Sequence, residues 1–170
     1  QSLRFNDDDS AYLSTTFASA GNRKTWTYSV WIKRGDDNSG AGGINHTLFD
    51  TTSGDGIHIR AGSNTPYMQI NYANGSEIVS NQVFRDKSAW MHILVAVDTT
   101  QGTNTNRIKI YVNGEQVTSF SSASYPSQNA DGHINNNISH QIGKQAGLSR
   151  YLDGYLAEVN FIDGQALTPA

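Results

Sequence analysis

The chain has no cysteine among its 170 residues, and that absence removes disulfides, zinc–thiolate sites and thiol nucleophiles together. It leaves the compartment open, because a chain of this length buries enough surface to fold without covalent staples. Glutamate occurs only three times, as Glu77, Glu115 and Glu158. There is no basic surplus either: 12 lysines and arginines stand against 15 aspartates and glutamates, for a formal net charge of −3. Such a chain builds no field that neutralises phosphates, so nucleic acid is not an expected partner. No apolar run approaches the roughly 18 residues that cross a bilayer, and the first residues lack a charged-then-apolar signal pattern, so no membrane insertion is expected. Strong helical periodicity is missing throughout. The first methionine is Met68, from which the chain is expected to be processed or to be a segment of a larger protein.

What is abundant is Ser, Thr, Asn and Gly, together more than a third of the chain. Hydroxyls and amides therefore cover the surface, a chemistry that hydrogen-bonds neutral polyols and is also ordinary in β-turns. Between the turn clusters lie eight short runs in which apolar and polar residues alternate. Successive strand side chains point to opposite faces, so these runs predict one all-β sandwich domain spanning residues 1–170. The clearest run is residues 25–33: Trp26, Tyr28, Val30 and Ile32 point one way, and Thr27, Ser29, Trp31 and Lys33 the other.

Further strands are expected at residues 3–5, 12–17, 46–50, 56–61, 67–72, 77–84, 91–98, 107–112, 115–120, 138–143 and 151–163. Asn74-Gly75 and Asn113-Gly114 supply the two positive-φ positions of type I′ hairpins. In residues 91–98 both rows are apolar, which predicts a central strand covered on both sides. Residues 85–90 lack alternation and are expected to make one helical turn. Residues 35–43 read as a rim loop, and residues 121–137 as a surface excursion. The rows centred on Val30, Val95 and Val159 are expected to fill the interior, with Trp26 and Trp90 in the core.

Four segments in this order, TWTYSVWIKR at residues 25–34, SAWMHILVAVD at 88–98, RIKIYVNGEQV at 107–117 and YLDGYLAEVNFID at 151–163, resemble the laminin G-like, concanavalin A-like lectin and glucanase superfamily. The resemblance implies a jelly-roll sandwich of two antiparallel sheets, often appended to extracellular, adhesive or virion-associated proteins. The terminal segment also resembles modules of bacteriophage structural proteins.

Glycan hydrolysis needs two carboxylates about 5–10 Å apart across the scissile bond. The glucanase branch carries them as Glu-x-Asp-x-x-Glu on one strand, a spacing this chain lacks, so it is not expected to be an enzyme. His46, His58, His92, His133 and His140 show no paired zinc spacing. No protein-bound cofactor is expected, although some superfamily members bind calcium at the sandwich rim. Asp7, Asp8 and Asp9, or Asp36 and Asp37, offer oxygen ligands of suitable hardness, while turn aspartates more often cap backbone amides. Trp31 is the leading candidate for ligand contact, because a flat aromatic on a polar strand face stacks on sugar rings. His58, Arg60 and Tyr111 occupy comparable non-core rows and are expected to hydrogen-bond beside it. These readings predict a non-catalytic module on an extracellular or virion surface that binds glycan or a surface protein. The alternative is a self-assembling subunit of a virion or filament, in contact with copies of itself or neighbouring subunits.

Overall fold

The computed structural model describes residues 1–35, 45–61 and 65–169. Among them thirteen strands run in chain order as β1 (Ser2–Phe5), β2 (Leu13–Thr16), β3 (Thr25–Arg34), β4 (Asn45–Thr51), β5 (Gly56–Arg60), β6 (Tyr67–Tyr72), β7 (Ser76–Val83), β8 (Met91–Asp98), β9 (Ile108–Val112), β10 (Glu115–Gln116), β11 (Phe120–Ser124), β12 (Ser139–Ile142) and β13 (Gly154–Asp163). They form a six-stranded sheet, β1-β13-β3-β8-β9-β10, and a seven-stranded sheet, β11-β7-β6-β5-β4-β12-β2. Every ladder is antiparallel. This is the two-layer jelly-roll sandwich that the alternation and the resemblance predict.

The period of two in β3 buries Trp26, Tyr28, Val30 and Ile32 to 1% exposure or less. They meet Ile57, Ile59, Met68, Ile70, Tyr72 and Ile78 from the other sheet in one apolar core. Each such side chain stabilises the fold by about 1.5–3 kcal/mol relative to exposure. Tyr28 stacks on Phe49 at 5.0 Å and donates its hydroxyl proton to the Leu48 carbonyl at 2.8 Å; burial pushes its phenol far above the ordinary value. Asn113 and Gly114 have φ of 51° and 86° and join Val112 to Glu115 in the tight hairpin expected of Asn-Gly. Asn74 and Gly75, at 56° and 81°, also turn β6 into β7, but in a three-residue loop with Ala73 at 32°, because Tyr72 pairs with Ser76.

Several expectations are corrected. In β13 a bulge falls between Ala157 and Asn160, with Glu158 at φ 48°. The extra residue reverses the strand's parity, so Leu156 points inward before it and Phe161 after it, while Val159 is 40% exposed rather than core. Residues 85–90 form bends, not a helical turn, and Trp90 is 39% exposed instead of buried. After the two residues of β10 the chain leaves the six-stranded sheet, and β11 pairs with β7 at the edge of the other. The excursion expected at residues 121–137 is therefore strand as far as Ser124. Its remainder is pinned: Thr99 bonds Ala130 at 2.9 Å through its hydroxyl, and the buried Asp55 carboxylate accepts the His133 backbone N–H at 2.6 Å. Residues 36–43 of the expected rim loop lie outside the described residues.

Candidate functional site

The structure splits the four residues expected to act together. Ladder register places Trp31 opposite His92, and Ser29 opposite Leu94, which in turn faces Tyr111. Trp31 and Tyr111 thus share the outer face of the six-stranded sheet. His58 and Arg60 stand on β5, beside Thr47, Asn45, Gln69 and Tyr67, on the outer face of the opposite sheet. No contact joins the two pairs among the described residues.

His58 is corrected from a surface group to a buried one, with no exposure at all. The reason is a cover that local sequence does not announce. Residues 144–151 fold back as a hairpin closed by the Lys144–Tyr151 bridge, with the Lys144 ammonium 4.6 Å above the Tyr12 ring and 5.4 Å above Tyr151. Its Gln145 side chain accepts a hydrogen bond from Asn45 Nδ2 at 2.6 Å and one from Arg150 at 3.3 Å. The Ala146 N–H donates to Asp50 Oδ1 at 3.2 Å. Beneath the hairpin the other Asp50 oxygen lies 3.2 Å from His58 Nε2, and His58 Nδ1 lies 3.3 Å from the Thr47 hydroxyl. Burial pushes the Asp50 carboxyl up to about 7, aided by the nearby charge of Asp55. Burial also pushes His58 down to about 3, with Arg60 and Arg150 adding repulsion. The result is a closed, neutral pair, a polar interior rather than a ligand surface.

The six-stranded sheet presents a different face. Trp31 is 39% exposed in the middle of a regular strand. Its ring lies 5.1 Å from that of His92 at 40°. His92 Nε2 is 2.8 Å from the Ser29 hydroxyl, and partial burial lowers its pKa, favouring a neutral imidazole that both donates and accepts. Tyr155 and Val159, at 38% and 40% exposure, belong to the adjoining strand. At the other end of the face Leu94, Ala96 and Tyr111 form a small buried cluster. There the C-terminal tail crosses the sheet: the Thr27 hydroxyl donates to the Gln165 carbonyl at 2.7 Å and accepts the Leu167 N–H at 2.8 Å. Tyr111 is thereby corrected from an exposed partner of Trp31 to a buried neighbour, 7% exposed.

Sequence reasoning missed Trp90. It lines a groove of about 290 Å³ with Arg85, Asp86, Met91 and Asn113, among others. The groove adjoins the Trp31 face through one residue, since Asn113 Oδ1 accepts the His92 backbone N–H at 2.8 Å. The available signal was the lack of alternation in residues 85–90, which places Trp90 before its strand rather than inside it.

The acidic candidates behave as turn residues. The Asp7 carbonyl accepts the Ser10 N–H at 3.0 Å, and Asp9 accepts the Asn6 side-chain amide at 2.8 Å. Asp36 and Asp37 lie outside the described residues. Among the described residues no group of three or more His, Asp or Glu side chains converges as a metal site would require. Asp163, on the strand that carries Glu158, accepts bonds from the Asn22 backbone and the Asn135 amide.

Comparison with solved structures shows the fold. A heptameric SAP-like pentraxin from Limulus polyphemus is similar at a TM-score of 0.57 and 16% identity, over 92% of this chain and 71% of its own. The binding domain of Paraclostridial Mosquitocidal Protein 1 gives 0.64 and 17%, over 98% of this chain and 41% of its own. Domain 4 of AbnA, a GH43 extracellular arabinanase from Geobacillus stearothermophilus solved in complex with arabinotriose, gives 0.57 and 17%, over 86% and 64%. The chain thus spans less than two thirds of the length of the latter two. No curated protein sequence matches it. With the model of one family matched along residues 6–170, the chain belongs to the concanavalin A-like lectin/glucanases superfamily.

Proposed function

We propose that this domain is a non-catalytic recognition module, displayed on an extracellular or virion surface, that binds glycan through the outer face of its six-stranded sheet. The observation that carries the reading is Trp31, 39% exposed on a face held rigid by ladders on both sides. An indole presented there stacks on the apolar side of a sugar ring at little entropic expense, while Ser29 and His92 supply hydrogen bonds at its margin. Of the similar folds, one is the binding domain of Paraclostridial Mosquitocidal Protein 1 and one is a domain of an extracellular arabinanase in complex with arabinotriose. The sequence also lacks the Glu-x-Asp-x-x-Glu spacing of the glucanase branch, which supports the non-catalytic reading.

The test is glycan-array binding followed by titration calorimetry on the whole chain, with Trp31→Ala as the probe. Affinity is expected to fall at least about tenfold, the worth of a stacked aromatic, with the melting temperature little changed because the ring is exposed. Unaltered binding would refute the site, and absence of any glycan ligand would refute the reading.

The assembly reading keeps one observation in its favour. β2 closes an edge of the seven-stranded sheet, and all four of its residues are exposed. An uncovered edge invites strand addition from a second copy. Sedimentation equilibrium across a concentration series separates the readings, since assembly through this edge predicts a mass above that of the monomer.

A further inference from the structure

The register of the six-stranded sheet sets a group of side chains beside the Trp31 row that neutral-sugar binding does not use. Arg4 on β1 stands opposite Tyr155 on β13, and Tyr155 stands opposite Lys33 on β3. The three are direct neighbours across the outer face, and at about 4.8 Å per strand the backbones of Arg4 and Lys33 flank that of Tyr155 roughly 10 Å apart. In the next row Ser2, Ala157 and Trp31 are aligned in the same way. Two small residues therefore leave a shallow step between the exposed rings of Tyr155 and Trp31. The Arg4 guanidinium lies 6.0 Å from the Tyr155 ring centroid, within cation–π range. Arg4, Trp31 and Tyr155 are all exposed. Among the described residues, neither Arg4 nor Lys33 forms an ion pair with a carboxylate. Two cations so placed on either side of an exposed aromatic are conspicuous in a chain whose net charge is −3. The tail that covers the Thr27 end of the face leaves this end open.

The geometry points to an acidic glycan as the ligand: a sugar ring stacks on Tyr155 and Trp31 while carboxylate or sulfate groups on neighbouring positions reach Arg4 and Lys33. This deepens the glycan-binding reading and rests on it. Arg4 forms planar two-bond contacts to such anions and Lys33 a point-charge contact. The stacked rings set this surface apart from a purely electrostatic patch, which would hold any polyanion.

The experiment pairs polymers that differ only in charge: dextran sulfate against dextran, and polygalacturonate against its fully methyl-esterified form. Affinity of the whole chain is measured by titration calorimetry at two salt concentrations. Each charged member is expected to bind at least about tenfold more tightly than its neutral partner, with the gap narrowing in high salt. Arg4→Gln, at an exposed position, and Lys33→Gln, at a half-buried one, are each expected to remove most of that preference with the melting curve little changed. Tyr155→Ala is expected to weaken the charged member, while inorganic polyphosphate, a polyanion with no ring to stack, binds poorly throughout. Equal affinity for charged and neutral members, with Trp31→Ala still deleterious, overturns the acidic specificity and leaves the glycan reading intact. Binding of neither member of either pair overturns the acidic-glycan inference, whereas the glycan reading falls only if the array also finds no ligand. Binding of polyphosphate or of vesicles rich in anionic phospholipid as tightly as the acidic polymers makes the patch a general polyanion surface and also overturns the inference.

Discussion

Asp50 and His58 hold one proton between them, and that shared proton gives the buried face an unusual pH response. Burial holds the Asp50 carboxyl at about 7 and His58 at about 3, against unfolded values near 3.9 and 6.5. Taken alone, the raised carboxyl stabilises the fold at low pH and loses that contribution as pH rises toward 7. The depressed imidazole acts oppositely, stabilising above about 6.5 and losing its contribution as pH falls toward 3. Between roughly pH 4 and 6.5 the folded pair carries one proton and so does the unfolded pair, so the two contributions cancel and this pair adds no slope to the stability. Asp50→Asn breaks the cancellation and leaves only the imidazole, still faced by Arg60 and Arg150. Its stability is expected to fall by up to about 1.4 kcal/mol per pH unit below 6.5, a slope that chemical denaturation at pH 7.5, 6 and 5 compares with the parent.

Elements differ in how openly they are written. β3 and β8 were legible because their neighbours on both sides impose strict alternation, and Trp26, Val30 and Val95 lie where parity puts them. The Asn-Gly hairpins were legible because few residues adopt two consecutive positive φ angles. Gly114 at φ 86° is such a position, and Gly114→Ala is expected to lower stability by about 1 kcal/mol in urea denaturation, since a Cβ disfavours that region. β13 was only half legible. Its bulge inserts one residue at Glu158, so reading alternation straight through assigned Val159 to the interior. The candidate site was less legible still: Trp31 was found from parity, but His58 obeys the same parity and is buried, because the hairpin at residues 144–151 covers one sheet and not the other. Such covering is tertiary and leaves no periodic trace. Exchange of the Ala146 amide proton tests the hairpin's hold; it is expected to be protected in the parent and to exchange faster in Asn45→Ala, which lacks the bond to Gln145.

At the scale of the whole molecule, a shallow glycan-binding face of the kind proposed would bind weakly as a single copy, so the proposal predicts a dependence on copy number. Presentation of the domain on a tetrameric carrier is expected to raise apparent affinity for a polymeric glycan by about 10²–10⁴ over the isolated chain, as surface plasmon resonance on immobilised polymer would register; no gain on tetramerisation would argue against a multivalent ligand. The two sheets differ in purpose on this view, one sealed by its hairpin and the other left open between the tail and the β1 edge. The order of the open sheet carries a kinetic consequence. β13, the thirteenth strand in chain order, lies between the first and the third. Without it β1 would have no ladder and β3 would be paired on one flank alone, so closure of this sheet requires segments more than a hundred residues apart to meet, a contact order that slows folding.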